Sequence, residues 1–343
     1  MHKIKMKNYI EGFGYDEINC SNHCILAVAG SFMDDYYRWG ALLFACELIW
    51  GKSTNIDERG IFFHNDILCN FGLCIQTTTA ENIKKYMNYI IDGLYSATPI
   101  ILFLPSAYIP WNSMQYKIKS ETVHSIVISG YDEIRNLFYI RDNAIIDTSS
   151  LDNKNYVSTN TMWEICLPYE IVYSILKQAN EYLCNLHNYY GYRIFYMTTR
   201  GDSVINSNME LLNFIMKKYN IFHYNRLANY VNNPLLKINA PYLADKVTLT
   251  ANRLDFFGNY KLIFHVLESL CLDYGNLELM NKLYKLRKKY INNKNIIYNL
   301  KTRSIITDKP LNDIKKNKLI KQIYEDDLSL FSFIKYIRDI ILG

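Results

Sequence analysis

The 343-residue chain contains no CxxC pair, so a structural zinc site of the usual ligand spacing is not expected. Its eight cysteines, Cys20, Cys24, Cys46, Cys69, Cys74, Cys166, Cys184 and Cys271, are scattered, most of them inside apolar runs. A chain this large does not need a disulfide framework, and free thiols in a reducing cytoplasm are the expectation. The longest apolar runs, such as Ala41–Cys46 and Pro99–Leu104, fall far short of the roughly 18 to 20 residues a membrane span requires. The basic start, Met1 to Ile10, soon meets Glu11 and Gly12 without an apolar core, which argues against a signal peptide. There is no GxxxxGK(S/T) loop to cradle a nucleotide phosphate, no internal repeat and no low-complexity tract. The net charge of +5 is too weak for this length to argue for nucleic acid.

What is present describes a folded protein. Half of the residues are hydrophobic and 21% are charged, a globular composition. The length exceeds what one hydrophobic core usually fills, so two domains, or one domain with a large appendage, are expected. The 30 tyrosines, together with frequent isoleucine, asparagine and lysine, read as a coding bias rather than as a binding stripe.

Along the chain, residues 9–19 read as an irregular lead-in. From Cys20 the pattern becomes helical until Asp34 and Asp35, and a second helix is expected over 37–49, closed by Gly51. The segment 60–74 holds short apolar pieces of no clear type, and 81–94 is an amphipathic helix. The period then changes. Pro99–Leu104 is a short, wholly apolar run typical of a buried strand, and 108–116 an aromatic loop. Val123-His-Ser-Ile-Val-Ile-Ser129 and Leu137-Phe-Tyr-Ile-Arg141 are two strands of a hairpin. Composition turns polar near 147–155, where a domain boundary is expected, dividing the chain into 1–155 and 156–343. Helices are expected over 169–185, 254–272, 277–290 and 328–342, with a strand at 193–198. Ser207-Asn-Met-Glu210 is a capping-box pattern opening a helix to Tyr219.

The chemistry centres on Cys20. A cysteine where a polar segment enters an apolar helix meets unpaired backbone N–H groups and the positive end of the helix dipole, which favour thiolate. A hairpin turn near 133–134 sets His124 opposite or diagonal to Asp142. In that arrangement a carboxylate orients an imidazole and leaves its other nitrogen for a nucleophile. Cys24 is the alternative nucleophile, one turn further in, and His23 and His64 are alternative bases. His187, His223 and His265 have no recognisable carboxylate partner. Between Glu278 and Asp308 there is no acidic residue, while Lys285, Arg287, Lys288 and Lys289 crowd one stretch. That basic run is either a solvated face or a docking surface for an acidic protein.

The motif Cys20-x-x-x-Cys24-Ile-x-x-Val28 resembles the nucleophile helix of papain-like cysteine peptidases. Thr98-Pro-Ile-Ile-Leu-Phe-Leu104, His124-Ser-Ile-Val-Ile-Ser-Gly-Tyr-Asp132 and Tyr139-Ile-Arg-Asp142 follow in the matching order and spacing. More specifically, residues 15–147 are similar to the family of the butirosin biosynthesis protein H N-terminal domain, related to bacteriocin-processing peptidases. The resemblance implies an α+β papain-like domain, with the Cys-bearing helix packed on an antiparallel sheet, followed by a mainly helical half. It also implies an acyltransferase of antibiotic biosynthesis. Such an enzyme takes an acyl group from the phosphopantetheine thioester of a carrier protein onto Cys20 and passes it to a small amine or diamine, without a cofactor of its own. Cys20, His124 and Asp142 would form the triad. The glutamine that usually precedes the nucleophile as oxyanion donor is missing, leaving Asn19 or Tyr15 beside the Cys20 backbone N–H. A cysteine peptidase or amidase, or an inactive carrier-binding adaptor, are the competing expectations.

Overall fold

Seven antiparallel strands carry the first part of the chain among the residues described in a computed structural model: 2–3, 20–50, 61–111, 119, 123–142, 163–187, 191–219, 256–307 and 313–342. The strands are β1 (His2–Lys3), β2 (Leu73–Thr79), β3 (Ile100–Pro105), β4 (Val123–Asp132), β5 (Leu137–Asp142), β6 (Trp163–Pro168) and β7 (Arg193–Thr199). Their order is β2-β7-β3-β4-β5-β6, with β1 paired to the end of β4. The helices are α1 (Cys20–Ala29), α2 (Asp34–Trp50), α3 (Ile61–Leu68), α4 (Ile83–Tyr95), α5 (Tyr169–His187), α6 (Asn208–Lys218), α7 (Phe256–Asp273), α8 (Leu277–Thr307) and α9 (Asp313–Leu342). The protein is therefore α+β, as the sequence suggests. No helix among the described residues is long and apolar enough to cross a membrane.

The chain divides into two compact units. The first comprises 1–40 and 59–203, the second 41–58 and 204–343. This departs from the boundary expected near 155. The polar stretch there lies outside the described residues, but the strands that flank it are hydrogen-bonded into one sheet: β6 pairs with β5 along its whole length, and β7 with β2 and β3. Sheet pairing is non-local, so a change in composition between two strands does not mark where the sheet ends.

In the first unit, strand alternation sorts the sheet into two faces. Ile100, Leu102, Leu104, Ile126, Ile128, Phe138 and Ile140 form one cluster with Met87, Ile90 and Leu94 of α4 and Val172, Leu176 and Ala179 of α5. The intervening Ile101 and Val127 are buried too, on the face where α1 packs against β4. Every residue of α1 from Asn22 to Ala29 is buried, as suits a helix that is apolar on nearly all sides. It lies close to α2 at Gly40, where a Cβ would come within 2.6 Å of the end of the Leu26 side chain and push it aside.

Two local expectations are refined. Asp34 and Asp35 do more than close the first helix: they form the first turn of α2, where carboxylates face the positive helix terminus. The untyped segment after residue 60 becomes α3, a short 3-10 turn and β2. Gly72 closes that turn at φ +70, and a side chain there would press on the Gly201 carbonyl.

The second unit is built from helices. Trp50 packs edge-on against Phe331 and tilted against Tyr219, and Asp327, fully buried, accepts hydrogen bonds from the hydroxyls of Tyr260 at 2.7 Å and Tyr290 at 2.5 Å. Two donors on one carboxylate offset much of the cost of taking it out of water. The Ser207 cap forms as expected at the start of α6, its hydroxyl accepting from the Glu210 N–H, while the Glu210 carboxylate accepts from the N–H of Asn206, one residue before the cap, at 2.7 Å. Replacing Ser207 with alanine is expected to lower unfolding stability by about 1 kcal/mol, measured by urea titration as a lower midpoint at unchanged slope.

Candidate active site

Three pieces of secondary structure bring the site together. Cys20 is the first residue of α1, His124 the second residue of β4 and Asp142 the last residue of β5. Ladder geometry places the last two: Val127 pairs with Arg141, and continuing that register by one residue sets Asp142 across from Ile126. His124 is then its diagonal neighbour on the same face. The His124 Nε2 and the Asp142 Oδ1 are 2.6 Å apart, with the carboxylate wholly buried and the ring nearly so. Nδ1 is the ring nitrogen left over, and a hydrogen bond joins the His124 side chain to Cys20. The structure thus brings Cys20, His124 and Asp142 into one chain of contacts.

Two further residues join it that sequence reasoning passed over. Ser125 offers Cys20 both its backbone N–H and its hydroxyl, the latter at 3.8 Å from Sγ. The indole N–H of Trp111 donates to the other oxygen of Asp142 at 2.5 Å. Ser125 could have been suspected as the neighbour of His124. Trp111 could not, because its loop carries neither helical nor strand periodicity.

The electrostatics separate the two cysteines of α1. Burial pushes the Cys20 thiol upward, but the positive charge of His124, its hydrogen bond and the two donors of Ser125 outweigh it and bring the thiol down to about 7. Burial works against the His124 cation as well, and the charges of Asp142 and Cys20 with their hydrogen bonds raise it to about 10. Cys24 is held far above the ordinary thiol range by burial and by the charges of Cys20 and Asp142. It is fully buried, and these effects favour its neutral thiol. His23 is brought down to about 3 by burial and the charge of His124, so it stays neutral and does not serve as a base at physiological pH.

The other candidate residues divide. Tyr15, Asn19 and His223 lie outside the described residues, as do the side chains of His64 and His187. In the basic run, Arg287 pairs with Glu268 at 3.3 Å and Lys289 approaches the buried Asp326 at 3.8 Å, whereas Lys285 and Lys288 are exposed. Among the described residues no group of three His, Cys, Asp or Glu side chains could hold a metal ion. What the constellation can do is supply a thiolate paired with an imidazolium. The sulfur can attack an electrophilic carbonyl, and the ring can return its proton to the leaving group.

No family model and no curated protein sequence matches the chain.

The thiolate–imidazolium pair populates as pH rises through about 7 and persists until His124 loses its proton near 10. Alkylation of Cys20 by iodoacetamide, followed by intact mass, is expected to rise with a midpoint near 7. In H124A, where only the Ser125 donors remain to oppose burial, the midpoint should move well above 7. A wild-type midpoint at or above the ordinary thiol range would contradict this electrostatic account.

Proposed function

We propose that the protein is a cysteine-dependent acyltransferase of the papain-like fold, forming an amide through an acyl-enzyme on Cys20. The observation that carries this reading is the contact chain Cys20–His124–Asp142, with its sulfur at the start of a buried helix and its imidazole pinned by a buried carboxylate. The sequence resemblance of residues 15–147 to the butirosin biosynthesis protein H N-terminal family supports transfer over hydrolysis.

In this mechanism the Cys20 thiolate attacks the carbonyl of a carrier-bound phosphopantetheine thioester. The His124 imidazolium returns its proton to the departing pantetheine thiol, and Cys20 is left acylated. An amine then enters, His124 removes its proton, and the nitrogen attacks the acyl-enzyme. Amide forms and the sulfur is released as thiolate beside the recharged ring. Thioester exchange is nearly balanced and aminolysis is downhill, so the sequence of steps needs no nucleotide. The Cys20 backbone N–H, in the first turn of α1, would be one donor to the oxyanion. Lys285 and Lys288, exposed on α8 in a stretch without acidic residues, would meet an acidic carrier surface.

Incubation with acyl N-acetylcysteamine thioesters and acyl-loaded carrier protein is expected to add one acyl mass to the wild-type chain and none to C20A. H124A should slow this step about 10²- to 10⁴-fold. Added small diamines should convert the acyl-enzyme to amide faster than water hydrolyses it. Rapid hydrolysis indifferent to amine, with cleavage of peptides, would assign a peptidase instead, and absence of any acyl-enzyme would leave a binding role.

A further inference from the structure

The His124–Asp142 pair has a third member. Asp142 presents two carboxylate oxygens: Oδ1 faces the His124 Nε2 at 2.6 Å and Oδ2 accepts from the Trp111 indole N–H at 2.5 Å. Trp111 stands in the connection between β3 and β4, and it packs against the apolar cluster that α4 and α5 make with the sheet. Its ring is therefore anchored by packing while its one polar atom reaches the carboxylate. Indole nitrogen donates and never accepts, so Oδ2 is the acceptor in this contact. A carboxylate held at one oxygen alone can rotate about its last bond; held at both, its plane is set, and with it the plane of the imidazole it faces.

We propose that Trp111 is a positioning residue of this site, pinning the second oxygen of Asp142 so that the carboxylate keeps the His124 ring aimed at Cys20. The proposal rests on Cys20 being the reactive thiol of the proposed function. The consequence is electrostatic as well as geometric. A carboxylate turned away from the ring would support the imidazolium less, and the thiolate would lose part of its partner.

The test is Trp111→Phe, which keeps the aromatic packing and removes the N–H. The pH profile of Cys20 alkylation by iodoacetamide is expected to move up by about one unit, the equivalent of losing about tenfold in one charge-assisted hydrogen bond. A role confined to packing would lower thermal stability without moving that midpoint. An unchanged or lowered midpoint in a folded W111F protein would overturn the proposal. Should W111F fail to fold, the wild-type chain still decides. One of its four indole N–H resonances should lie downfield in a proton–nitrogen correlation spectrum and move upfield in Asp142→Ala; four unmoved signals would refute the contact. Because alkylation needs no acyl donor, its outcome separates from that of the acyltransferase reading. A wild-type chain that never becomes acylated leaves the W111F comparison intact, and an unmoved W111F profile leaves acylation intact.

Discussion

A carboxylate with no exposure to solvent, beside an imidazole with almost none, is the arrangement the first unit is built to tolerate. Neither group could be charged in that place alone, since taking a single ion from water into the interior costs several kcal/mol. Together, with the Trp111 donor on the far oxygen and the Cys20 sulfur on the far side of the ring, each charge has an opposite charge or a donor next to it. The hairpin β4–β5 supplies the distance between them. Its register passes through a bulge between Ile128 and Gly130, on the far side of which the turn is closed by the Asp132 carboxylate accepting from the Ile134 and Arg135 N–H groups. A slip of one residue in that ladder would send Asp142 to the opposite face from His124.

The nucleophile helix shows how position outweighs residue type. Cys20 and Cys24 lie one turn apart on the same helix. The first stands at the terminus, beside a cation and two donors, and ionises near neutral pH. The second is fully buried beside the negative charges of Cys20 and Asp142, which favour its thiol form. The same holds for His23 and His124, both buried and both imidazoles: His124 has a carboxylate to answer its charge, whereas burial and the positive charge of His124 both disfavour the cation at His23.

The second unit uses the same physics for structure. Asp327 is buried between two tyrosine hydroxyls, and Asp326 beside Asn293 and Lys289. Part of the basic run on α8 is thus spent inside its own unit, and its charge in sequence overstates the charge it presents to solvent. Lys285 and Lys288 are exposed.

Helix spans with strong periodicity, the apolar strand at 100–105 and the His124-bearing hairpin were legible from residue pattern alone, because burial on one face writes a period of 3.6 or 2 into the chain. So were the cap at Ser207 and the identity of Cys20, His124 and Asp142 as candidates, since a helix terminus and a hairpin register are local properties. The strands β2 and β6, the extent of the sheet to β7, the choice between Cys20 and Cys24, and the parts played by Ser125 and Trp111 were decided only by the tertiary structure. Each of those depends on partners distant in the chain, and neither strand pairing nor the field around a sulfur atom leaves a periodic trace in the residues that experience it.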